Sequence, residues 1–592
     1  MGRASAQLAA SRRRPAWAVL AAAIAIVFGR AVSFPFVSLD DAINLVENPL
    51  LNPPTLQSVL AFWRQGYEAL FIPFTYTFWA LQACVFRAPG TAELPGPLLP
   101  QPFHAVNLAL HFANAWLVFT LLECFLRHGR PPGPEAHPAP ALAGGLLFAL
   151  HPVQVEPVVW VTGTKDLLCT FLCLLALRLC IAWTDEPTPA TSMRRQPRTL
   201  RSTRFVLATV AYSLALLSKP SAVAMPAVAL VATWALLGRR PRETARLWVG
   251  WLALAIPFVL CSRALQLDPV SASATPWPDR PRIAADAIGF YVAKVVAPVS
   301  LGVDYGRTPG SVLDSGGWHY PGVAVLFGAF ALASCRRVLV GAALLFAGAL
   351  APVLGLVPFG FQEYSTVADR YVYLAMLGPA LALAWGVNSR PSARVGAAVA
   401  CVLLAFGVRS SLQVGVWRDS ETLYAHSLAV NPASAWLRNS AAHELMQRGR
   451  EREAIGLLEE ALRQRPDYVD AIANLGVALA KLGRLQEAVP RFREAARLQP
   501  GRADVHQNLG MALARLGDAE AGKTQLREAL RLNPRLAEAH DQLGIALARE
   551  GDLQSAARHF AEAVRLQPAN RAARQRMERA VREILAHGDV PR

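Results

Sequence analysis

Five prolines, Pro432, Pro466, Pro500, Pro534 and Pro568, stand 34 residues apart. The triplets Asn474-Leu475-Gly476, Asn508-Leu509-Gly510 and Gln542-Leu543-Gly544 keep the same interval, as do Gly449, Gly483, Gly517 and Gly551, and Ala454, Ala488 and Ala556. A unit of this length holds a helix pair. Proline has no N–H to give and ends the second helix, while the turn glycines are expected to let the two helices pack closely. One pair cannot bury its apolar face alone, but a stack can, so this part of the chain must form an all-α solenoid.

Tetratricopeptide repeats have this period. About four are expected over residues 434–567, with residues 570–587 as a C-terminal capping helix, making 434–592 one domain. Such an array offers a groove for an extended protein or peptide. The alternative is a spacer or a dimerisation element.

The preceding part obeys a different solvent. Of the 592 residues, 53% are hydrophobic and only 17% charged, and the apolar blocks lie before about Leu412. That excludes a disordered chain and speaks against an ordinary soluble enzyme. Arg12-Arg13-Arg14 followed by an apolar run over 17–36 is expected to be an uncleaved first span with its N-terminus in the cytoplasm. Ten further spans are expected near 103–126, 141–150, 167–183, 205–217, 223–237, 247–261, 323–333, 338–357, 372–385 and 395–408. In this arrangement the arginine clusters (Arg127 to Arg130; Arg194, Arg195, Arg198, Arg201 and Arg204; Arg239 to Arg246; Arg336-Arg337; Arg390 to Arg394) all fall on the cytoplasmic side, as cation placement requires. Residues 70–86 and 284–299 stay outside the count, as outer, re-entrant or interfacial segments. About eleven spans put the repeats on the periplasmic or lumenal side. A membrane domain over 1–412 and a linker over 413–433 complete the division.

The net charge of +17 suggests nucleic acid. The arginines are instead spent between apolar segments, with no basic stripe or base-stacking motif, so no nucleic-acid partner is expected. The eight cysteines show no paired zinc spacing.

Polar residues that a membrane does not need collect on the expected outer face, where ionisable groups are costly and default to functional candidates. Asp40 and Asp41 follow the first span. His151, Glu156, Trp160, Lys165 and Asp166 lie in HPVQVEPVVWVTGTKDLL, and Lys219 in Ser-Lys-Pro. Glu363, Asp369, Arg370 and Tyr371 precede the tenth span. Lys165 and Lys219 are two of only five lysines in the chain. Cations at helix ends can reach a phosphate at headgroup level. Phosphate leaves readily when positive charge stabilises it, and a positioned carboxylate can deprotonate an acceptor hydroxyl. Asp40 and Asp41 are therefore the catalytic candidates and Lys165, Lys219 and Arg370 the phosphate-binding ones. His151, Glu156, Asp166, Glu363, Asp369 and Tyr371 form a supporting polar network. No metal ligand set is assigned and no cofactor is required, although paired acids leave a divalent cation open; a lipid-linked sugar would be a co-substrate. His104, Asn107, His111 and Asn114 recur at helical spacing and suit helix-to-helix hydrogen bonding better than a metal.

The order Asp-Asp, HP-x-x-x-E-x-x-x-W with Lys-Asp after it, Ser-Lys-Pro, Ala-Asp-Arg-Tyr-x-Tyr-Leu and terminal repeats resembles the transmembrane and tetratricopeptide-repeat proteins (TMTC), O-mannosyltransferases with a GT-C fold. The lysine-poor composition has a bacterial look, so the setting is a bacterial inner membrane, or the endoplasmic reticulum if the chain is eukaryotic. The resemblance implies an inverting glycosyltransferase moving a sugar, mannose among the candidates, from polyprenyl phosphate to a protein hydroxyl held by the repeats. It maps the acid pair onto Asp40 and Asp41 and the donor side onto Lys165, Lys219 and Arg370. The rivals are a non-catalytic membrane-anchored repeat scaffold, and a glycan ligase or polymerase.

Overall fold

The computed structural model describes residues 3–586 apart from 69, 91–95, 129–137, 185–197, 266–274, 315–318, 335 and 569. Arg130, Arg194 and Arg195 lie outside the described residues. Among the described residues the elements are all helical, with isolated bridges such as Leu51 with Pro54. The chain divides into two compact units, Met1–Pro432 and Ala433–Arg592.

Among the described residues of the first unit, five helices are long and apolar enough to cross a membrane: Pro15–Ser33, Pro100–Arg127, Val161–Thr184, Pro241–Ser262 and Ala393–Val416. A sixth crossing is made if Ala139–Leu150 and Pro152–Val159, bent by 52° at the break, act as one. Four shorter apolar helices, Ser202–Leu216, Pro220–Leu236, Tyr320–Ala333 and Arg337–Val353, stand where four more spans were expected. This is the make-up of a multi-pass membrane protein. Pro100–Arg127, at 28 residues, is about 42 Å long and outreaches a hydrocarbon layer of about 30 Å.

The bend positions the site. After Leu150 the chain breaks at His151-Pro152, makes a 3-10 turn and the short helix Val155–Val159, and breaks again at Trp160. A second 3-10 turn, Val161–Gly163, leads into Thr164–Thr184. Broken backbone inside a membrane unit must find partners in the protein. Asn107 supplies them: its amide donates to the Trp160 carbonyl at 2.9 Å and accepts from Thr164 Oγ1 at 2.7 Å. One to two turns along the same helix, His111 meets Tyr373 Oη at 2.7 Å and Asn114 donates to the Leu167 carbonyl at 3.0 Å. Asn107, His111 and Asn114 of the polar stripe thus hydrogen-bond helix to helix, and Asn107 caps the break. Gly163 is fixed by space: a Cβ there would stand 2.3 Å from the Pro157 carbonyl oxygen.

Residues 413–433, expected as a linker, are mostly helical. Ala393–Val416 runs into them and Ser420–Val430 follows. Their low hydropathy hides packing against the first loop. Leu423 and Tyr424 are buried, Tyr424 Oη donates to the Ser38 carbonyl at 3.0 Å, and Ser420 Oγ accepts from the Ser38 N–H at 3.0 Å.

In the second unit the helix pairs are Ala435–Gln447 with Glu451–Gln464, Val469–Lys481 with Leu485–Leu498, Ala503–Leu516 with Ala519–Leu532, and Ala537–Arg549 with Leu553–Leu566. Arg571–Ala586 follows them. The turn glycines do not serve close packing. Gly449, Gly483, Gly517 and Gly551 have φ of +72°, +78°, +95° and +86° with open space where a Cβ would go, so backbone conformation selects them. Close packing falls to Gly476, Gly510 and Gly544, where a Cβ would stand 2.6 Å from Phe492, 2.8 Å from Leu526 and 2.7 Å from Phe560.

Candidate active site

Four broken segments deliver the acids and bases. The first loop brings Asp40 and Asp41, the break before Thr164–Thr184 brings Trp160 and the first turn of that helix Lys165 and Asp166, and the extended residue before the 3-10 helix Pro220–Ala224 is Lys219. The 3-10 turn Asp369–Val372 brings Asp369, Arg370 and Tyr371. Lys165 Nζ donates to Asp40 Oδ2 at 3.1 Å. Lys219 Nζ donates to Asp166. Arg370 Nη1 donates to Glu156 Oε1 at 2.6 Å and the Arg370 backbone N–H to Glu156 Oε2 at 3.1 Å.

Aromatic rings join the three pairs. Lys165 Nζ and the Arg370 guanidinium lie 5.1 Å and 5.7 Å from the Trp160 ring. Lys219 Nζ and the same guanidinium lie 5.4 Å and 5.1 Å from the Tyr371 ring. Phe361 covers Arg370 at 4.3 Å. Such contacts hold cations at low dielectric without neutralising them. Asp40, Lys165, Asp166, Lys219, Arg370, Tyr371 and Glu156 therefore form one continuous cluster.

The two neighbouring aspartates are not equivalent. The Asp40 side chain is 47% exposed, so a substrate can reach it. Asp41 is buried, and both its oxygens accept backbone N–H bonds, Oδ1 from Thr162 at 2.9 Å and Oδ2 from Val37 at 3.1 Å. It ties the first loop to the turn that carries Lys165. Burial pushes its carboxyl up to about 7, against the pull of those two bonds. Asp369 accepts from Tyr305 Oη at 2.7 Å, and burial, helped by the nearby Glu156 charge, pushes its carboxyl up to about 8.

Two predicted residues stand apart from these pairs. The His151 ring meets the Val295 carbonyl at 2.9 Å and accepts from the Val153 N–H at 3.3 Å, so it caps the bend. Glu363 is exposed at the end of the 3-10 turn Gly360–Glu363. Among the described residues no group of three or more His, Cys, Asp or Glu could hold a metal ion.

Tetratricopeptide repeat family models match residues 439–503, 503–536 and 537–570. Over 532 residues the chain is 25% identical to "Protein O-mannosyl-transferase TMTC1" of Homo sapiens, covering 78% of this chain and 56% of that protein. Over 500 residues it is 26% identical to "Protein O-mannosyl-transferase TMTC4" of Mus musculus, covering 74% and 66%. The chain is TMTC-like. It spans less than two thirds of the length of these relatives. Among solved structures, the tetratricopeptide-repeat protein YrrB is 23% identical, covers 29% of this chain and 88% of its own, and has a TM-score of 0.24.

In this TMTC-like chain, sequence reasoning missed the residues that act through backbone or ring. Trp160 stood inside a quoted motif with no role attached. Thr162 enters through its main-chain N–H, and Tyr305 arrives from a segment with no motif of its own. An aromatic five residues before a candidate cation, Lys165, was the available signal for Trp160.

Proposed function

We propose that the chain is a membrane glycosyltransferase that moves a sugar from a polyprenyl-phosphate donor to a hydroxyl of a protein acceptor, with inversion at the anomeric carbon. The observation that carries this is the meeting of Asp40, Lys165, Asp166, Lys219 and Arg370 in one cluster built from four separated segments. The names of the similar proteins support the same chemistry.

The pairing at rest suggests how the site works. Each cation is held by a carboxylate, so an incoming phosphate competes for Lys165, Lys219 and Arg370. When Lys165 turns to the phosphate, Asp40 loses its partner and becomes free to take a proton. The acceptor oxygen attacks the anomeric carbon, its proton passes to Asp40, and the bond from that carbon to the phosphate oxygen breaks. The departing phosphate is stabilised by Lys219 and Arg370. No covalent enzyme intermediate is needed. Asp41 holds the loop and takes no proton from the acceptor.

Membranes containing Asp40→Asn or Asp41→Asn, incubated with labelled polyprenyl-phosphate sugars and a protein acceptor, test the assignment. Asp40→Asn should lower transfer by about 100-fold or more, the range for removing a general base. Asp41→Asn should keep measurable transfer. Full activity of Asp40→Asn would sink the mechanism.

A further inference from the structure

The first turn of the helix Pro73–Val85 bonds two separate segments of the site. One is the end of Ser202–Leu216, where the carbonyls of Leu217 and Ser218 come just before Lys219. The Phe74 N–H donates to the Leu217 carbonyl at 3.1 Å, and Thr75 Oγ1 donates to the Ser218 carbonyl at 2.9 Å. The other is the acid loop. Tyr76 Oη donates to Asn44 Oδ1 at 2.7 Å, and Asn44 Nδ2 donates to the Asp40 carbonyl at 3.0 Å. The direction of this second chain is fixed. A main-chain carbonyl only accepts, so the Asn44 amide turns its nitrogen to Asp40 and its oxygen to Tyr76, which then donates.

The path is built into the core. Asn44, Thr75, Tyr76 and Ser218 are all buried. The Tyr76 ring stacks on Phe62 with centroids 4.4 Å apart and meets Trp79 edge-on at 5.4 Å. The same apolar cluster takes in Leu45 of the acid loop and Val161 of the break that leads to Lys165. Packing alone asks for no hydroxyl at 75 or 76. Valine and phenylalanine have the same shapes and carry no polar atom to desolvate.

We infer that Thr75, Tyr76 and Asn44 are positioning residues, and that the first turn of Pro73–Val85 is a strut setting the separation between the proton acceptor Asp40 and the phosphate cation Lys219. The inference rests on the proposed reading of those two side chains. Helices hold groups more precisely than loops do. Successive residues stand about 1.5 Å apart along the axis and about 100° apart around it, so Thr75 and Tyr76 reach different neighbours from one rigid base. The strut matters most during transfer. At rest Lys165 holds the Asp40 carboxylate, and Asp166 holds Lys219. Both side-chain ties loosen when a phosphate enters. Only the main chain then keeps the acid aimed at the acceptor and the lysine at the phosphate. Asn44 grips the main chain of Asp40 itself, and Thr75 grips the peptide group that joins Ser218 to Lys219.

The two ends of the strut call for different defects. Full-length protein in lipid nanodiscs carries Tyr76→Phe, Asn44→Ala, Thr75→Val or Thr75→Ser. Transfer is followed with undecaprenyl-phosphate mannose and a protein acceptor, and binding with undecaprenyl phosphate alone. Tyr76→Phe should lower kcat at least about tenfold, the scale of a misaimed reacting group, while donor KM and undecaprenyl phosphate affinity stay within about twofold. Asn44→Ala cuts the same chain one link later and should match it, which also decides the matter if Tyr76→Phe does not fold. Thr75→Val should weaken undecaprenyl phosphate binding and raise donor KM, each at least about fivefold, by loosening a charge-assisted contact. Thr75→Ser keeps the hydroxyl and should restore both. A bond that only stabilised the fold would change the melting temperature and the fraction of active protein alike for both ends. Equal defects at the two ends, or unchanged binding by Thr75→Val, overturn the inference. The two possible failures differ. An unaltered protein that binds undecaprenyl phosphate but transfers nothing overturns the Asp40 mechanism and the Tyr76 half of the strut with it. Full transfer by Tyr76→Phe and Asn44→Ala beside an inactive Asp40→Asn overturns the strut alone.

Discussion

Asp40 and Asp41 are adjacent in sequence and opposite in circumstance. Asp40 meets the side chain of Lys165 and Asp41 two backbone N–H groups, and only the folded chain decides which is accessible. The buried one has a measurable consequence. Asp41 is raised from 3.8 to about 7, so between about pH 4 and pH 7 the unfolded chain gives up a proton that the folded chain keeps. Folding stability therefore falls as pH rises through that window. Asp369, raised to about 8, adds a decline of the same sign that extends higher. Replacing Asp41 by Asn removes its share of the dependence. The melting temperature of the unaltered protein should exceed that of Asp41→Asn by more at pH 5.5 than at pH 7.5, read by fluorescence-detected unfolding in detergent. A difference that grows with pH would mean that Asp41 is held as a carboxylate. Glu156 offers a second check at this scale. It takes both the side chain and the main-chain N–H of Arg370, so Glu156→Gln should weaken donor use by misplacing that cation, showing mainly as a higher KM for the lipid-linked sugar.

At the scale of elements, breaks matter more than helices. Periodicity and hydropathy placed the apolar helices within several residues, and the proline register gave the repeats. The breaks were harder to see. HPVQVEPVVWVTG reads as polar interruptions in an apolar run, and only the asparagine of a neighbouring helix explains how its carbonyls are satisfied. Residues 413–433 read as a linker because their apolar groups, among them Val414, Trp417, Leu423 and Tyr424, are interleaved with charged and polar ones and make no membrane-length run. The glycines show the same limit, since sequence register cannot tell a turn that needs φ above zero from a helix face that needs an absent side chain. The structure separates them, and substitution can confirm it. Gly483→Ala meets open space but a left-handed backbone, a cost of about 1 kcal/mol. Gly476→Ala drives a methyl into Phe492, which must shift, and overpacking of this kind costs about 1–3 kcal/mol. Urea unfolding of the repeat signal should rank Gly476→Ala as the more damaging. In the membrane unit, Gly163→Ala should displace the turn that carries Lys165 and Asp166, lowering transfer at least about tenfold while leaving the repeats' unfolding unchanged.

For the whole molecule the open quantity is sidedness. The five arginine clusters fit one leaflet only if the short apolar helices Ser202–Leu216, Pro220–Leu236, Tyr320–Ala333 and Arg337–Val353 also cross. These are shorter than the roughly 20 residues that a perpendicular span requires, and they carry few charges to stop them. Crossing would need the 3-10 and π-type turns at their ends, such as Pro220–Ala224 and Ala232–Leu236, to lie within the hydrocarbon and find protein partners there. If they cross, and Leu377–Ser389 with them, the site faces away from the arginines; if one of them does not, every arginine cluster after it changes leaflet and the charge rule is broken. A cysteine-free background with single cysteines at Glu363 and Arg240, two exposed positions on the expected opposite faces, distinguishes the cases. In sealed right-side-out vesicles a membrane-impermeant maleimide should label Glu363→Cys at once and Arg240→Cys only after lysis. Immediate labelling of Arg240→Cys would show that one of Ser202–Leu216 and Pro220–Leu236 does not cross, and protection of both positions until lysis would show the same of Tyr320–Ala333 or Arg337–Val353.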